Sequence, residues 1–336
     1  MSLYPWQYGI WQQVVNSSEG GQLPHAFLFT GQKGVGKEHF AKLLSQYLLC
    51  EKPIKAESEL MLPCFRCKQC KLYEFDSHTD LKLLAPEEGS KVIKIDAIRK
   101  VVEFFSQSGM QGGKKVSIIT PAEAMNNNAA NALLKTLEEP NGASHIILVS
   151  HNSGSLLPTV RSRCQVIEFP LPKPDESSEW LASYVGEQEI VEVDELLKLS
   201  HNAPLRAKEF QDIGALNESQ LMLDELGMVL KREVSPSQVA ERWNDDLANL
   251  RLSWMFQWLS DIVKVKMLDD RARLDESKTE KMWAYLASNS SSDQLFSLYK
   301  LTIREYKLFN GSSNPNRQLS FEYILAQWSC LMRKFK

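Results

Sequence analysis

No stretch of this sequence approaches the roughly 18 consecutive apolar residues that a membrane helix needs. The opening MSLYPWQYGIWQQ has neither the basic start nor the apolar core of an export signal. A cytoplasmic protein with no membrane segment is therefore expected. Basic charge is also short: 39 Lys and Arg stand against 42 Asp and Glu, a net charge of −3. A chain that grips nucleic acid by itself needs a basic surface to neutralise phosphates. DNA binding would then have to run through a local basic face or through basic partners. Internal repeats are missing, and low complexity is confined to SNSSSD at 288–293, which reads as a loop plus helix cap. In the expected compartment the six cysteines suggest metal or spectator thiols before disulfides.

What is present is globular material: 336 residues, 43% hydrophobic and 24% charged, enough for two or three domains. HAFLF (25–29), KVSIIT (115–120) and SHIILVS (144–150) are short, apolar or β-branched and bounded by turn residues, so each reads as a buried strand. Helical patterns run from Lys37 to Leu49, from Asp96 to Ser106 and from Asn128 to Glu139. Alternating strands and helices imply a parallel sheet covered on both faces. The proline-rich FPLPKPDESS marks a connector and a boundary. Beyond it the pattern is helical, with Leu247, Leu250, Trp254, Trp258, Ile262 and Val265 as one apolar stripe. Ser235 and Pro236 read as an N-cap and first helical residue, and 317–335 reads as a final helix. The aromatic stripes are packing surface rather than a cofactor box.

The segment FLFTGQKGVGKEHF places Gly31, Gly34, Gly36 and Lys37 at phosphate-loop spacing, between a strand and a helix. Glu38 stands where a magnesium-ligating Ser or Thr belongs. The candidate neighbouring strand ends Thr120-Pro121-Ala122, with no carboxylate before Glu123, where an ATPase places the acid that holds magnesium. Two parts of the metal chemistry are thus missing together. Magnesium is not expected and ATP hydrolysis is disfavoured. Nucleotide binding by the remaining cradle, or a purely structural turn, both stay open.

Cys64, Cys67 and Cys70 are separated by two intervening residues each, with Cys50 upstream at the end of a helix. Four soft thiolates suit a closed tetrahedral zinc site. An iron–sulfur cluster is the rival, His78 is an alternative ligand, and Cys164 and Cys330 stand alone. With the basic CFRCKQCK, the cysteines also fit an independent zinc-ribbon nucleic-acid binder. NALLKTLEEP (131–140) is an amphipathic helix that Pro140 ends. In LPTVRSRCQVIEF, Arg161 and Arg163 precede a β-like run at an expected sheet edge, as solvated surface or as groups reaching a partner's nucleotide.

In this order, GxxGVGK, the cysteine cluster, NALLKTLEEP and SRC resemble bacterial DNA polymerase III clamp-loader subunits of the AAA+ class. The resemblance is dense from about residue 4 to 170 and thinner beyond. YPW, YLLC and the degenerate strand end are similar to the delta-prime branch rather than the ATP-hydrolysing gamma/tau branch, which is kept as the alternative. It implies a RecA-like α/β domain at 1–170 with a four-cysteine zinc module at 50–70, a helical lid at 171–212 and an all-helical collar for oligomerisation at 213–336. It further implies structural zinc on Cys50, Cys64, Cys67 and Cys70, although the Cys50–Cys64 spacing is longer than usual in the family. Arg163 matches an arginine finger given in trans to a neighbouring ATP site, and Arg206 matches a lid arginine that senses ATP in motor subunits. The implied role is a stator within a polymerase holoenzyme. Its partners would be gamma/tau and delta in a hetero-pentameric ring, which loads a sliding clamp onto primed DNA.

Overall fold

The computed structural model describes residues 2–20, 23–56, 59–107, 114–140, 143–185, 190–268, 278–311 and 315–331. The first strand, β1 (Ala26–Thr30), is buried at every position. A strand with consecutive apolar side chains has to be covered on both faces, and this one separates two cores. Phe27 and Phe29 join Trp11, Phe40, Leu44 and Phe169 on one side. Ala26 and Leu28 join Ile98, Val101, Phe105, Leu133 and Leu137 on the other.

Around β1 the order is α1 (Tyr8–Glu19), α2 (Lys37–Leu49), the short hairpin of β2 (Ile54–Lys55) and β3 (Met61–Leu62), and α3 (Lys68–Glu74). There follow β4 (Leu81–Leu84), α4 (Ile95–Ser106), β5 (Lys114–Ile119), α5 (Asn127–Glu138), β6 (Ala143–Val149), α6 (Pro158–Arg161) and β7 (Gln165–Glu168). The main sheet runs β4-β5-β6-β1-β7 with every pair parallel. Strand–helix alternation, parallel pairing and the glycine loop between β1 and α2 make this the RecA-like α/β architecture expected of an AAA+ module. The three strands expected from sequence are β1, β5 and β6. The edge strand β4 is short and only half-buried, and its LKLL carries too weak a pattern to be read from sequence.

The proline-rich connector leads into α7 (Pro174–Val185), α8 (Ile190–Leu199) and α9 (Pro204–Asp212), with α7 packed on α8. The chain divides into two compact units, Met1–Phe210 and Gln211–Lys336. The second contains α10 (Ala215–Lys231), α11 (Pro236–Arg242), α12 (Ala248–Leu268), α13 (Lys278–Asn289), α14 (Ser292–Asn310) and α15 (Arg317–Ser329). Ser235 and Ser291 cap α11 and α14 with reciprocal Ser–Gln capping boxes. In α12, Trp254, Trp258 and Ile262 of the expected stripe are buried, and so are Leu252, Met255 and Leu259. The buried surface is wider than a stripe because α13 and α14 both pack on this helix. The expected last helix ends at Ser329, and residues 332–336 lie outside the described residues. Among the described residues, no helix is long and apolar enough to cross a membrane.

Candidate functional site: a braced phosphate loop, a thiol cluster and a paired arginine

The loop after β1 has the backbone of a phosphate cradle. Gly34 and Gly36 adopt φ of 92° and 87°, a region that favours glycine. Both are also pressed by neighbours. A Cβ on Gly34 would lie 2.7 Å from Arg206 Cβ and 2.9 Å from Arg206 N. One on Gly36 would lie 2.6 Å from Gln7 Nε2. Leu205 N–H donates to the Gly34 carbonyl at 3.0 Å, so the start of α9 is seated on the loop. Gln7 Nε2 donates to the carbonyls of Val35 and Gly36, and Trp6 Nε1 also donates to Val35. The segment carrying them is held in turn by rings: Tyr4 stacks on Trp6 at 5.1 Å, and Trp180 of α7 stands edge-on to both.

Lys37 is 2% exposed. Its Nζ donates to the carbonyls of Gly31 at 2.6 Å and Gln32 at 2.7 Å, so the cation is spent on its own loop. Burial lowers its pKa from 10.5 to about 8, against an opposing pull from the Glu123 carboxylate. Glu38 turns along the helix instead of into the loop and pairs with Lys42 at 2.7 Å. Arg206 lies over the Phe210 ring at 5.1 Å.

Glu123 lies past the end of its strand in sequence, yet its carboxylate is near enough to act on the Lys37 charge. It sits in the 3-10 turn Ala122–Ala124, and its Oε1 accepts the His151 N–H at 2.9 Å. Burial, then the positive charge of Lys37, lowers the pKa of His151 to about 4. The sequence contains no local signal for this Lys37–Glu123–His151 neighbourhood, since it joins the loop to the ends of β5 and β6.

The four cysteines Cys50, Cys64, Cys67 and Cys70 converge, with all four sulfurs within 4.8 Å of one another. Cys50 caps the C-terminus of α2 and Cys67 the N-terminus of α3, so two helix ends and the intervening knuckle bring the thiols together. The Cys50–Cys67 and Cys64–Cys70 separations are both 4.0 Å. A tetrahedral site with metal–sulfur bonds of about 2.3 Å has sulfur–sulfur edges of about 3.8 Å, so the cluster has the size of such a site. Backbone N–H groups of Cys64, Cys67 and Cys70 point at the sulfurs of Cys50, Cys64 and Cys67 respectively, at 3.3–3.4 Å. Burial pushes the Cys64 thiol up, but the Arg66 and Cys67 amides outweigh it and bring it to about 6. Burial and the neighbouring sulfurs push Cys70 upward. Full ionisation of four thiols this close requires a cation among them, and the donor set fits a metal. His78 is outside the cluster, with Nδ1 accepting from Asp80 N–H. Cys164 is half-buried, and burial raises its pKa to about 12.

Arg161 is exposed, whereas Arg163 is held. Its Nε donates to Glu138 Oε1 at 2.5 Å, its Nη2 meets the same oxygen, and its Nη1 donates to the Thr159 carbonyl at 2.9 Å. The surface arginine expected from sequence is thus anchored at three points. The amphipathic pattern that places Glu138 on a helix offers no means of pairing it with Arg163.

A family model described as DNA polymerase III, delta subunit, matches residues 6–173, and a second, for the C-terminal part of the same subunit, matches residues 215–329. DNA polymerase III subunit delta' of Pseudomonas aeruginosa is 35% identical over 98% of this chain and 98% of its own length. The chain belongs to the delta-prime family of DNA polymerase III subunits. The delta' subunit of Haemophilus influenzae is 33% identical over 81% of this delta-prime chain and 80% of its own. Among solved structures, a DNA polymerase III gamma subunit-related protein from Thermotoga maritima aligns with 96% of this chain and all of its own at 19% identity, with a TM-score of 0.43. The glycine loop, the thiol cluster and Arg163 of this delta-prime chain all fall inside the first matched segment.

Proposed function

We propose that this delta-prime chain is a non-hydrolysing stator of the clamp loader, and that it acts through Arg163 on a neighbour's ATP site. The two missing magnesium groups, together with the packing on the phosphate loop, carry this reading. Lys37 donates to the carbonyls of its own loop, Gly34 is covered by α9, and the carbonyls of Val35 and Gly36 are tied to Gln7 and Trp6. Glu38 supplies no metal hydroxyl, and Glu123 gives one oxygen to the His151 amide. The loop is then a strand–helix joint, and Arg206 a packing partner beside it.

In this reading residues 1–170 form the α/β domain, 171–212 a lid and 213–336 the collar. The chain joins gamma/tau and delta subunits in a five-membered ring, which opens the sliding clamp for primed DNA. Cys50, Cys64, Cys67 and Cys70 hold a structural zinc. Zinc there cross-links the knuckle to the ends of α2 and α3 and leaves no open coordination position for catalysis.

A guanidinium supplied in trans stabilises charge on the transferring phosphoryl group, and its loss costs roughly 10³-fold or more in rate. The purified chain should therefore show no ATP turnover and no micromolar ATP binding, with or without magnesium. The assembled loader carrying Arg163→Ala should hydrolyse ATP far more slowly than wild type. Wild-type rates from that complex remove the trans role. The gamma-type motor is the second reading, favoured by the action of the Glu123 charge on Lys37. Turnover by the isolated chain, abolished by both Lys37→Ala and Glu123→Gln, would establish it.

A further inference from the structure

The Glu138–Arg163 pair is unusual for its place in the fold. Glu138 is the last residue of α5, and Glu139 follows it as the C-cap. Two carboxylates stand at the negative end of a helix, where the macrodipole favours cations. Local preference is broken there, and such breaks concentrate at functional positions. The Arg163 guanidinium is the cation that meets Glu138. As an ion pair with side chains 33% and 47% exposed, it contributes little to stability, so fold maintenance is a poor account of it.

Both partners have anchored backbones. The Leu137 carbonyl lies 2.6 Å from His25 Nε2, which ties the end of α5 to the residue preceding β1. The Arg163 N–H donates to the carbonyl of Val160, a fully buried residue of α6. The guanidinium has five N–H donors in a fixed plane. Glu138 takes the Nε proton and one from Nη2, and the Thr159 carbonyl takes one from Nη1. The remaining Nη2 proton has no acceptor in this set, and the other Nη1 proton has only Ser162 Oγ at 3.5 Å. This is the edge left for an external anion.

We infer that Glu138 is the positioning residue of Arg163. It holds the guanidinium by one edge and presents the opposite edge to the phosphates of a nucleotide bound by the adjacent subunit. The inference rests on the trans-arginine reading above. Without its anchor, a long arginine samples many rotamers and reaches the phosphates in the required geometry only part of the time.

The test is ATP turnover by the reconstituted clamp loader containing wild type, Arg163→Ala, Glu138→Ala, Glu138→Gln or the Arg163→Ala/Glu138→Ala double variant. Complex assembly and zinc content serve as checks on folding. Glu138→Ala should lower maximal turnover about tenfold or more, with assembly and half-saturating ATP unchanged. Glu138→Gln, which keeps an acceptor oxygen, should lie between Glu138→Ala and wild type. The double variant should be no slower than Arg163→Ala, because Glu138 acts only through the arginine. Wild-type turnover by Glu138→Ala beside a slow Arg163→Ala overturns the positioning role and leaves the trans arginine standing. Multiplicative losses in the double variant also overturn it. Wild-type turnover by Arg163→Ala removes the trans-arginine reading itself, and the positioning role with it.

Discussion

Lys37 keeps its place in the motif while its ammonium is held by carbonyls of its own loop. Its ammonium is buried and its folded pKa of about 8 lies below the ordinary 10.5. Between these values the unfolded chain binds the extra proton, so stability rises with pH across that window and the burial cost is fully present below about 8. Relative to Lys37→Met, the wild type should gain stability as pH increases from about 8 to 10.5, as read from paired urea titrations. A constant difference would show that the lysine is not held as described. Gly34 makes the complementary case. Gly34→Ala places a Cβ within 2.9 Å of Arg206 at a φ of 92°, and should cost about 1–3 kcal/mol in thermal denaturation. An unchanged melting temperature would mean that α9 is not seated on the loop.

At the scale of elements, the knuckle between α2 and α3 depends on its thiols. The hairpin of β2 and β3 has two residues in each strand, too few to be stable alone in water. A metal held by the four thiols would couple its binding to local folding here. Cys70→Ser should reduce zinc from one per chain to near zero by atomic absorption and increase proteolytic cleavage within residues 50–75. Full zinc retention would argue for a three-sulfur site. Much of this element was legible in sequence, because three of the thiols lie within seven residues and each spacing is local. The same holds for α11 and α14, whose serine caps and Gln partners are three residues apart. β4 was not legible, because a half-buried edge strand of four residues carries no clean period.

For the whole molecule, the two units have separate cores. Trp328 is fully buried in the second unit, as are Phe321 and Ile324 of the same helix, whereas the thiol cluster belongs to the first. Trp328→Ala should destabilise the second unit by about 3–5 kcal/mol. Calorimetry should then show its transition moving to lower temperature, while zinc release, followed by a metal indicator, keeps its wild-type midpoint. Coincident shifts of both would show that the units unfold as one.

The sequence by itself determined the β1 run with a core on either face, the glycine loop, the four thiols and the helix caps. Each of these is a matter of residue type at short spacing, and side-chain periodicity and backbone preference act over a few residues. It also contained Lys37, Arg163, Glu123 and Glu138, but not what they do. Only the tertiary structure decided that Gln7 and the start of α9 pack on the phosphate loop, that the Glu123 charge acts on Lys37, and that Glu138 pairs with Arg163. A charged or polar side chain satisfied by a partner is spelled the same as one left in water. The partners here come from distant elements that the packing of the sheet, and nothing local, brings within hydrogen-bonding reach.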